Sequence, residues 1–149
     1  MTSDGLHDAE TGLLDERYFR AALPNRVATA RRVLRPISIV VAALGDLDHA
    51  RQLAFGLLDT LRESDTACRL DDGTFALILE DTPENGAVWT VERLRRLLAE
   101  QGTEVLLWAG VASYPAHALE PPELLTLAEK ALKAAREWQQ SRIEVALPE

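Results

Sequence analysis

The chain is poor in several features, and each scarcity excludes a class of protein. Of its 149 residues only one is a cysteine, Cys68, so no internal disulfide can form and a reducing compartment fits. No apolar run approaches the roughly 18 to 20 residues that a membrane helix needs. The longest, Ile37 to Leu44, has the length of a strand, so no membrane insertion is expected. The opening Met1-Thr-Ser-Asp-Gly lacks a basic segment followed by an apolar one, so no secretory signal is read and the expected location is cytoplasmic. The three histidines, His7, His49 and His117, lie far apart without metal-ligand spacing, which argues against a metal centre. No Ser-His-Asp or Cys-His spacing suggests a nucleophile. Cations are outnumbered, 16 Lys and Arg against 24 Asp and Glu, giving a formal net charge of −8. Such a surface repels phosphate backbones and excludes general nucleic-acid binding, although a few arginines can still hold a small phosphorylated ligand.

What is present is enough for one folded unit. Hydrophobic residues make up 47% of the chain and charged residues 27%, sufficient for one buried core and a solvated surface. Residues 1–149 read as one domain, with 1–7 a flexible N-terminal segment. A helical pattern follows Asp15, with Tyr18, Phe19, Ala22 and Leu23 on one side, and Pro24 is expected to interrupt it early. Ile37 to Leu44 is rich in β-branched residues and apolar on both faces, as a central strand is. His49 to Arg62 reads as a helix with Leu53, Leu57, Leu58 and Leu61 at helical spacing. Thr66 to Leu70 and Thr74 to Leu79 read as a hairpin around Asp72-Gly73, because glycine tolerates the positive φ of a tight turn. An amphipathic helix carrying Val88, Val91, Leu94 and Leu98 follows Pro83, with Arg93, Arg95 and Arg96 on its other side. A strand over Glu104 to Ala112, a last helix from Pro121 with a buried stripe reaching Trp138, and an edge strand Arg142 to Ala146 complete the chain. The fold class expected is an α/β sandwich with a ferredoxin-like β-α-β-β-α-β core, an extra N-terminal helix, a C-terminal helix and a short edge strand.

Element order alone gives no function, but four short motifs stand in register. Asp8-Ala-Glu-Thr-Gly-Leu-Leu-Asp-Glu-Arg-Tyr-Phe resembles the D-x-L-T-G-L-x-x-R-R-x-F opening of GGDEF domains, the diguanylate cyclase family. Arg62-Glu-Ser-Asp65 followed by Asp71-Asp-Gly-Thr-Phe75 resembles that family's R-x-x-D and G-G-D-E-F. Gly110-Val-Ala-Ser-Tyr-Pro resembles its S-x-G-x-A strand, and Ala128-Glu-Lys-Ala-Leu-Lys-Ala-Ala-Arg136 its A-D-x-A-L-Y-x-A-K helix. The resemblance implies a cyclase-palm fold and a relation to cyclic di-GMP.

The departures carry as much meaning. Asp71 and Asp72 stand where the family has the two glycines that let backbone approach the nucleotide, and Gly73 and Thr74 replace its acidic pair, so only Phe75 is kept. Neither Gly73 nor Thr74 offers a carboxylate to a hard cation, and no Mg²⁺ is expected. The segment Gly45-Asp-Leu-Asp-His runs straight into a helix, roughly a dozen residues shorter than the family's metal- and guanine-binding stretch. Ala43 falls at the first metal carboxylate, and Asp46 and Asp48 read better as helix caps than as its substitutes. Arg136 takes the place of a phosphate-contacting lysine, and Trp108 that of a small serine. The resemblance therefore implies a degenerate domain without cyclase activity and without a cofactor. What is retained is Arg62 and Asp65, at the family's inhibitory site for cyclic di-GMP, with Arg93 the candidate partner arginine and Arg96 the second. Arg supplies a planar fork of donors to phosphate or guanine, and Asp accepts guanine N–H groups. The same two residues could equally pair at a helix end. Three functions follow: a cyclic di-GMP receptor that reports to a protein partner or homodimerises, a nucleotide-independent interaction module, and a cyclase with a rearranged site on Asp46, Asp48, Asp71 and Asp72.

Overall fold

The computed structural model describes residues 6–147. A two-residue strand β1 (Leu14–Asp15) leads into α1 (Glu16–Val33), and β2 (Ile37–Leu44) follows. One 3-10 turn (Leu47–His49) opens α2 (Ala50–Thr60). The hairpin β3 (Thr66–Arg69) and β4 (Phe75–Glu80) precedes α3 (Glu84–Glu100). The chain closes with β5 (Leu107–Tyr114), α4 (Pro121–Ala135) and β6 (Arg142–Val145). The sheet order is β1-β3-β4-β2-β5-β6. Its four central strands pair antiparallel in the ferredoxin-like arrangement, while β1 and β6 add parallel at the edges. The expected α/β sandwich is the one observed.

All eight residues of β2 are buried because both sheet faces are covered. Ile37, Ile39, Val41 and Ala43 point into a core with Phe19, Leu23 and Val27 of α1 and Leu124 and Leu132 of α4. Val40, Ala42 and Leu44 alternate into a second core with Leu53 and Leu57 of α2 and Val91, Leu94 and Leu98 of α3. Period-two alternation thus feeds two helical layers from one strand. A buried pair of hydroxyls crosses the sheet centre: Ser38 Oγ donates to the Thr82 carbonyl at 2.7 Å, so Ser113 Oγ donates to Ser38 Oγ at 2.6 Å.

Several expectations need correction. Pro24 does not interrupt α1, which runs through it to Val33. The proline ring removes one helix donor, costing about 3 kcal/mol, but Pro24 is exposed, and buried Phe19, Ala22, Leu23, Val27 and Ala30 on both sides of it hold the helix to the sheet. β5 starts at Leu107 rather than Glu104 and runs past Ala112 to Tyr114, because it pairs with β2 from Leu44↔Leu107 to Ile37↔Tyr114 and β2 ends at Leu44. Leu58 is 76% exposed, on the outer flank of α2. α4 stops at Ala135, so Trp138 lies beyond it in the following loop and is not part of the buried stripe. Residues 1–5 of the segment expected to be flexible lie outside the described residues, whereas Leu6 accepts from the Asp15 N–H at 2.8 Å and His7 bridges Leu14.

Candidate functional site

The chain leaves α2 with the Leu61 N–H bonded to the Leu57 carbonyl and turns sharply. Asp65 makes that turn. Its Oδ2 accepts from the Arg62 backbone N–H at 3.0 Å and from Arg62 Nε at 3.4 Å. Its Oδ1 accepts from Arg62 Nη2 at 3.3 Å and from the Glu80 N–H at 3.2 Å. The Asp65 side chain is 5% exposed, and these four bonds use the acceptor sites a carboxylate has. Arg62 Nη2 also reaches the Glu80 carbonyl and Thr82 Oγ1, the latter at 2.8 Å. The guanidinium is therefore held against the end of β4 while the Arg62 side chain remains 56% exposed. The structure brings Arg62 and Asp65 together as the sequence suggested, and it adds Glu80 and Thr82, which the sequence reading missed. No local motif marked those two; the corner exists only once β4 lies beside the end of α2.

Arg93 and Arg96 lie on the exposed side of α3. Because β2 and β4 are antiparallel, the helices that follow them, α2 and α3, run in opposite directions. They cross at Gly56, where an added Cβ would sit 3.0 Å from Leu94 Cδ1. α2 ends at Thr60, two residues short of the expected Arg62; Arg62, just past that end, therefore lies toward the start of α3, and Arg93 is nearer to it than Arg96. Neither is hydrogen-bonded to Asp65 among the described residues. The Arg93 guanidinium lies over the Trp89 ring, 5.6 Å from its centroid. Trp89 belongs to none of the sequence motifs that point to a site. The signal available was an indole out of register with the buried Ala87, Val91, Leu94 and Leu98 of the same helix.

The hairpin turn is closed upon itself. Gly73 has φ of +91°, the conformation that requires glycine there. Asp72 Oδ1 accepts from the Thr74 N–H at 3.0 Å and from Thr74 Oγ1 at 2.6 Å. The Asp71 N–H donates to Glu16 Oε1 at 3.0 Å, and this bond, with Arg20 beside it, holds the Glu16 carboxyl below its ordinary range. Thr74 is buried and Phe75 fully so, with the Arg69 guanidinium 4.9 Å from the Phe75 centroid. Arg69 also binds the Gly73 carbonyl at 3.1 Å, Glu10 at 2.8 Å and Asp8 at 3.5 Å, which locks the N-terminal turn onto the hairpin.

Between the hairpin and α4 is a pocket of about 340 Å³, lined by Val41, Asp72, Thr74, Lys133 and Arg136 among others. Trp108 lies directly across the sheet from Ala43, its Nε1 bonded to the Trp138 carbonyl at 3.1 Å and its ring 5.9 Å from the Arg136 guanidinium. Asp46 caps the 3-10 turn, accepting from the Asp48 N–H at 2.9 Å. Among the described residues no group of three or more His, Cys, Asp or Glu side chains converges as a metal site. His117 is a clasp: its Nδ1 accepts from the Ser113 N–H at 2.8 Å, so its Nε2–H donates to Glu84 at 3.1 Å. Burial pushes the Cys68 thiol up to about 12, leaving it inert as a small core residue. A cavity of about 720 Å³ is a groove between α1 and α4, and neither Arg62 nor Asp65 lines it.

The four antiparallel strands, the helical layers on both faces and the hairpin beside the central strand define an α/β domain of the cyclase-palm class. The chain belongs to the GGDEF family: the family model for the diguanylate cyclase GGDEF domain matches residues 48–142. It is 25% identical to the diguanylate cyclase DosC of Escherichia coli in an alignment of 160 positions, covering 93% of this chain and 34% of that protein. The chain thus spans about a third of the length of the curated relatives it matches. Among solved structures, the GGDEF domain of YfiN (TpbB) from Pseudomonas aeruginosa superposes with a TM-score of 0.84 at 21% identity, covering 95% of this chain and 94% of that one. The GGDEF domain of DgcB from Caulobacter crescentus, in complex with cyclic di-GMP, gives 0.83 at 17% identity, with 97% and 98% covered. No helix among the described residues is long and apolar enough to cross a membrane.

Proposed function

We propose that this chain is a GGDEF-family domain without cyclase activity that binds cyclic di-GMP at the Arg62 corner, with Arg93 as the second cation, and signals to a protein partner. The observation that carries the reading is the state of Arg62. Its guanidinium is fixed by Asp65, Glu80 and Thr82 while more than half of the side chain faces solvent. A charged donor held in place loses little entropy on meeting an anion, which is how a pre-ordered site gains affinity.

Loss of synthesis is supported by the other half of the domain. Asp72 turns one carboxylate oxygen, Oδ1, back onto Thr74, and Trp108 occupies the sheet position opposite Ala43, where the family carries a metal carboxylate. An alignment of 160 positions over 93% of a 149-residue chain leaves about 21 positions with no counterpart here, in keeping with the short passage from Gly45 into α2. No Mg²⁺ or other cofactor is part of the proposal.

A second reading, a nucleotide-independent interaction module, is favoured by one observation: Asp65 is saturated by the protein's own donors. Calorimetric titration of cyclic di-GMP into wild-type protein and Arg62→Ala separates the two. Binding that the substitution weakens by roughly 1.5 to 3 kcal/mol, the worth of a charge-assisted bond, supports the receptor. No binding by folded wild-type protein rejects it and leaves the interaction module. Turnover of GTP with Mg²⁺ to cyclic di-GMP would reject the loss of synthesis.

A further inference from the structure

We infer that the ligand at the Arg62 corner is held by its phosphates and by stacking of a purine on Trp89, so that the site takes purine cyclic dinucleotides as a class without selecting guanine. This deepens, and rests on, the binding function proposed above.

Guanine is distinguished from adenine by its hydrogen-bonding edges. A carboxylate can accept its N1–H and N2–H groups, and an arginine fork can donate side by side to O6 and N7. Neither device is free at this corner. Both Asp65 oxygens are filled by the Arg62 and Glu80 donors, and the carboxylate is shut away from solvent. Arg62 has spent Nε and Nη2 on Asp65, Glu80 and Thr82, and both bidentate edges of a guanidinium contain one of these two nitrogens or depend on Nη2. Only Nη1 makes no bond among the described residues. One nitrogen can hold a phosphate oxygen but cannot read a base edge by a fork.

What the corner does offer a base is a π face. Arg62 Nη2 lies 2.8 Å from Thr82 Oγ1, and Thr82 Cγ2 lies 3.0 Å from the place where a Cβ on Gly86 would be. Trp89 follows Gly86 by one helical turn on the same side of α3. Trp89 thus stands one turn along α3 from the residue that Thr82 touches, and Thr82 in turn touches Arg62. Gly86 places no side chain between them. The indole is 56% exposed, and the Arg93 guanidinium above it supplies a second cation at the same spot. Every purine has a face to stack, so this mode of holding is tolerant of base identity.

The test is calorimetric titration of cyclic di-GMP and cyclic di-AMP into the intact chain, Trp89→Ala and Trp89→Phe, with circular dichroism confirming that each variant is folded. The expected result is binding of both dinucleotides with affinities within about tenfold of each other. Trp89→Ala should weaken both by between about fivefold and about a hundredfold, the range of base–aromatic stacking, and Trp89→Phe should recover most of the loss. Binding of cyclic di-GMP but not of cyclic di-AMP would overturn the inference, showing that Asp65 is released to read guanine, and would leave the receptor function standing. Binding untouched by Trp89→Ala would overturn the stacking role in the same way. If neither dinucleotide binds, the receptor function itself falls and the inference with it.

Discussion

The most exacting test of the fold is a single methyl group at Gly110. This glycine lies in β5 where α4 crosses the sheet, and an added Cβ would stand 2.1 Å from the Ala128 carbonyl oxygen and 2.3 Å from the Leu132 nitrogen. Both are backbone atoms of a helix, so no side chain can rotate away. Restoring an ordinary contact of 3.4 Å requires α4 to lift by about 1.3 Å. Under it lie the fully or nearly buried Leu124, Ala128, Leu132 and Ala135. A gap of 0.5 to 1 Å already forfeits a quarter to a half of the dispersion attraction between packed atoms. Half the burial energy of two leucines is about 1.5 to 3 kcal/mol, and overpacking strain adds about 1 to 3. Gly110→Ala should therefore cost about 3 to 5 kcal/mol, a large part of the 5 to 15 typical of a whole domain. In urea denaturation, with a slope of about 2 kcal/mol per molar, the midpoint should fall by about 1.5 to 2.5 M. A fall below about 0.5 M would mean that α4 is not seated on β5 as described.

Three further outcomes are expected. Asp65→Ala strands the Arg62 and Glu80 N–H donors and should cost about 2 to 3 kcal/mol in urea titration, with Asp65→Asn milder; a loss under about 0.5 kcal/mol would show that other contacts hold the corner. Leu34, 87% exposed, ends α1 with φ of +57°, so Leu34→Gly should relieve left-handed strain and stabilise by about 0.5 to 1 kcal/mol, and destabilisation would refute that account. The Glu16 pKa is lowered in the folded state below its unfolded value of about 4.3, so its contribution is complete above that value and disappears as pH falls through the folded pKa. The stability gap between wild type and Glu16→Gln should then close on acidification from about pH 7 to about pH 3, and a gap that widened would reverse the assignment.

The parts of this molecule that could be read from its sequence are those dictated by local pattern. Ile37–Leu44 is apolar at every position because two helical layers cover it, and Asp72-Gly73 marks the turn because Gly73 must adopt positive φ. Arg62 and Asp65 could be placed together because the bonds that join them span three residues. What depends on distant partners could not be read. β1 exists only because Leu14 and Asp15 meet Cys68 and Arg69, and α1 survives Pro24 only because its flanks are packed on the sheet. Saturation of Asp65 needs Glu80, fifteen residues away, and the setting of Trp89 needs Thr82 to meet Arg62 across the helical layer. Periodicity extends the α4 stripe to Trp138, but it carries no information on where a helix stops.

Arg69 has a consequence for how the domain opens and closes. Its guanidinium joins the hairpin to Asp8 and Glu10, partners 61 and 59 residues away, while Glu16 holds the Asp71 amide across 55. Each link closes a long loop of chain, and loop closure must be bought with entropy before any of the bonds repays it. Once one link is made, however, the others close at almost no additional loss. The N-terminal turn and the hairpin tip should therefore gain and lose amide exchange protection together, as one cooperative unit, although nearly sixty residues of sequence separate them.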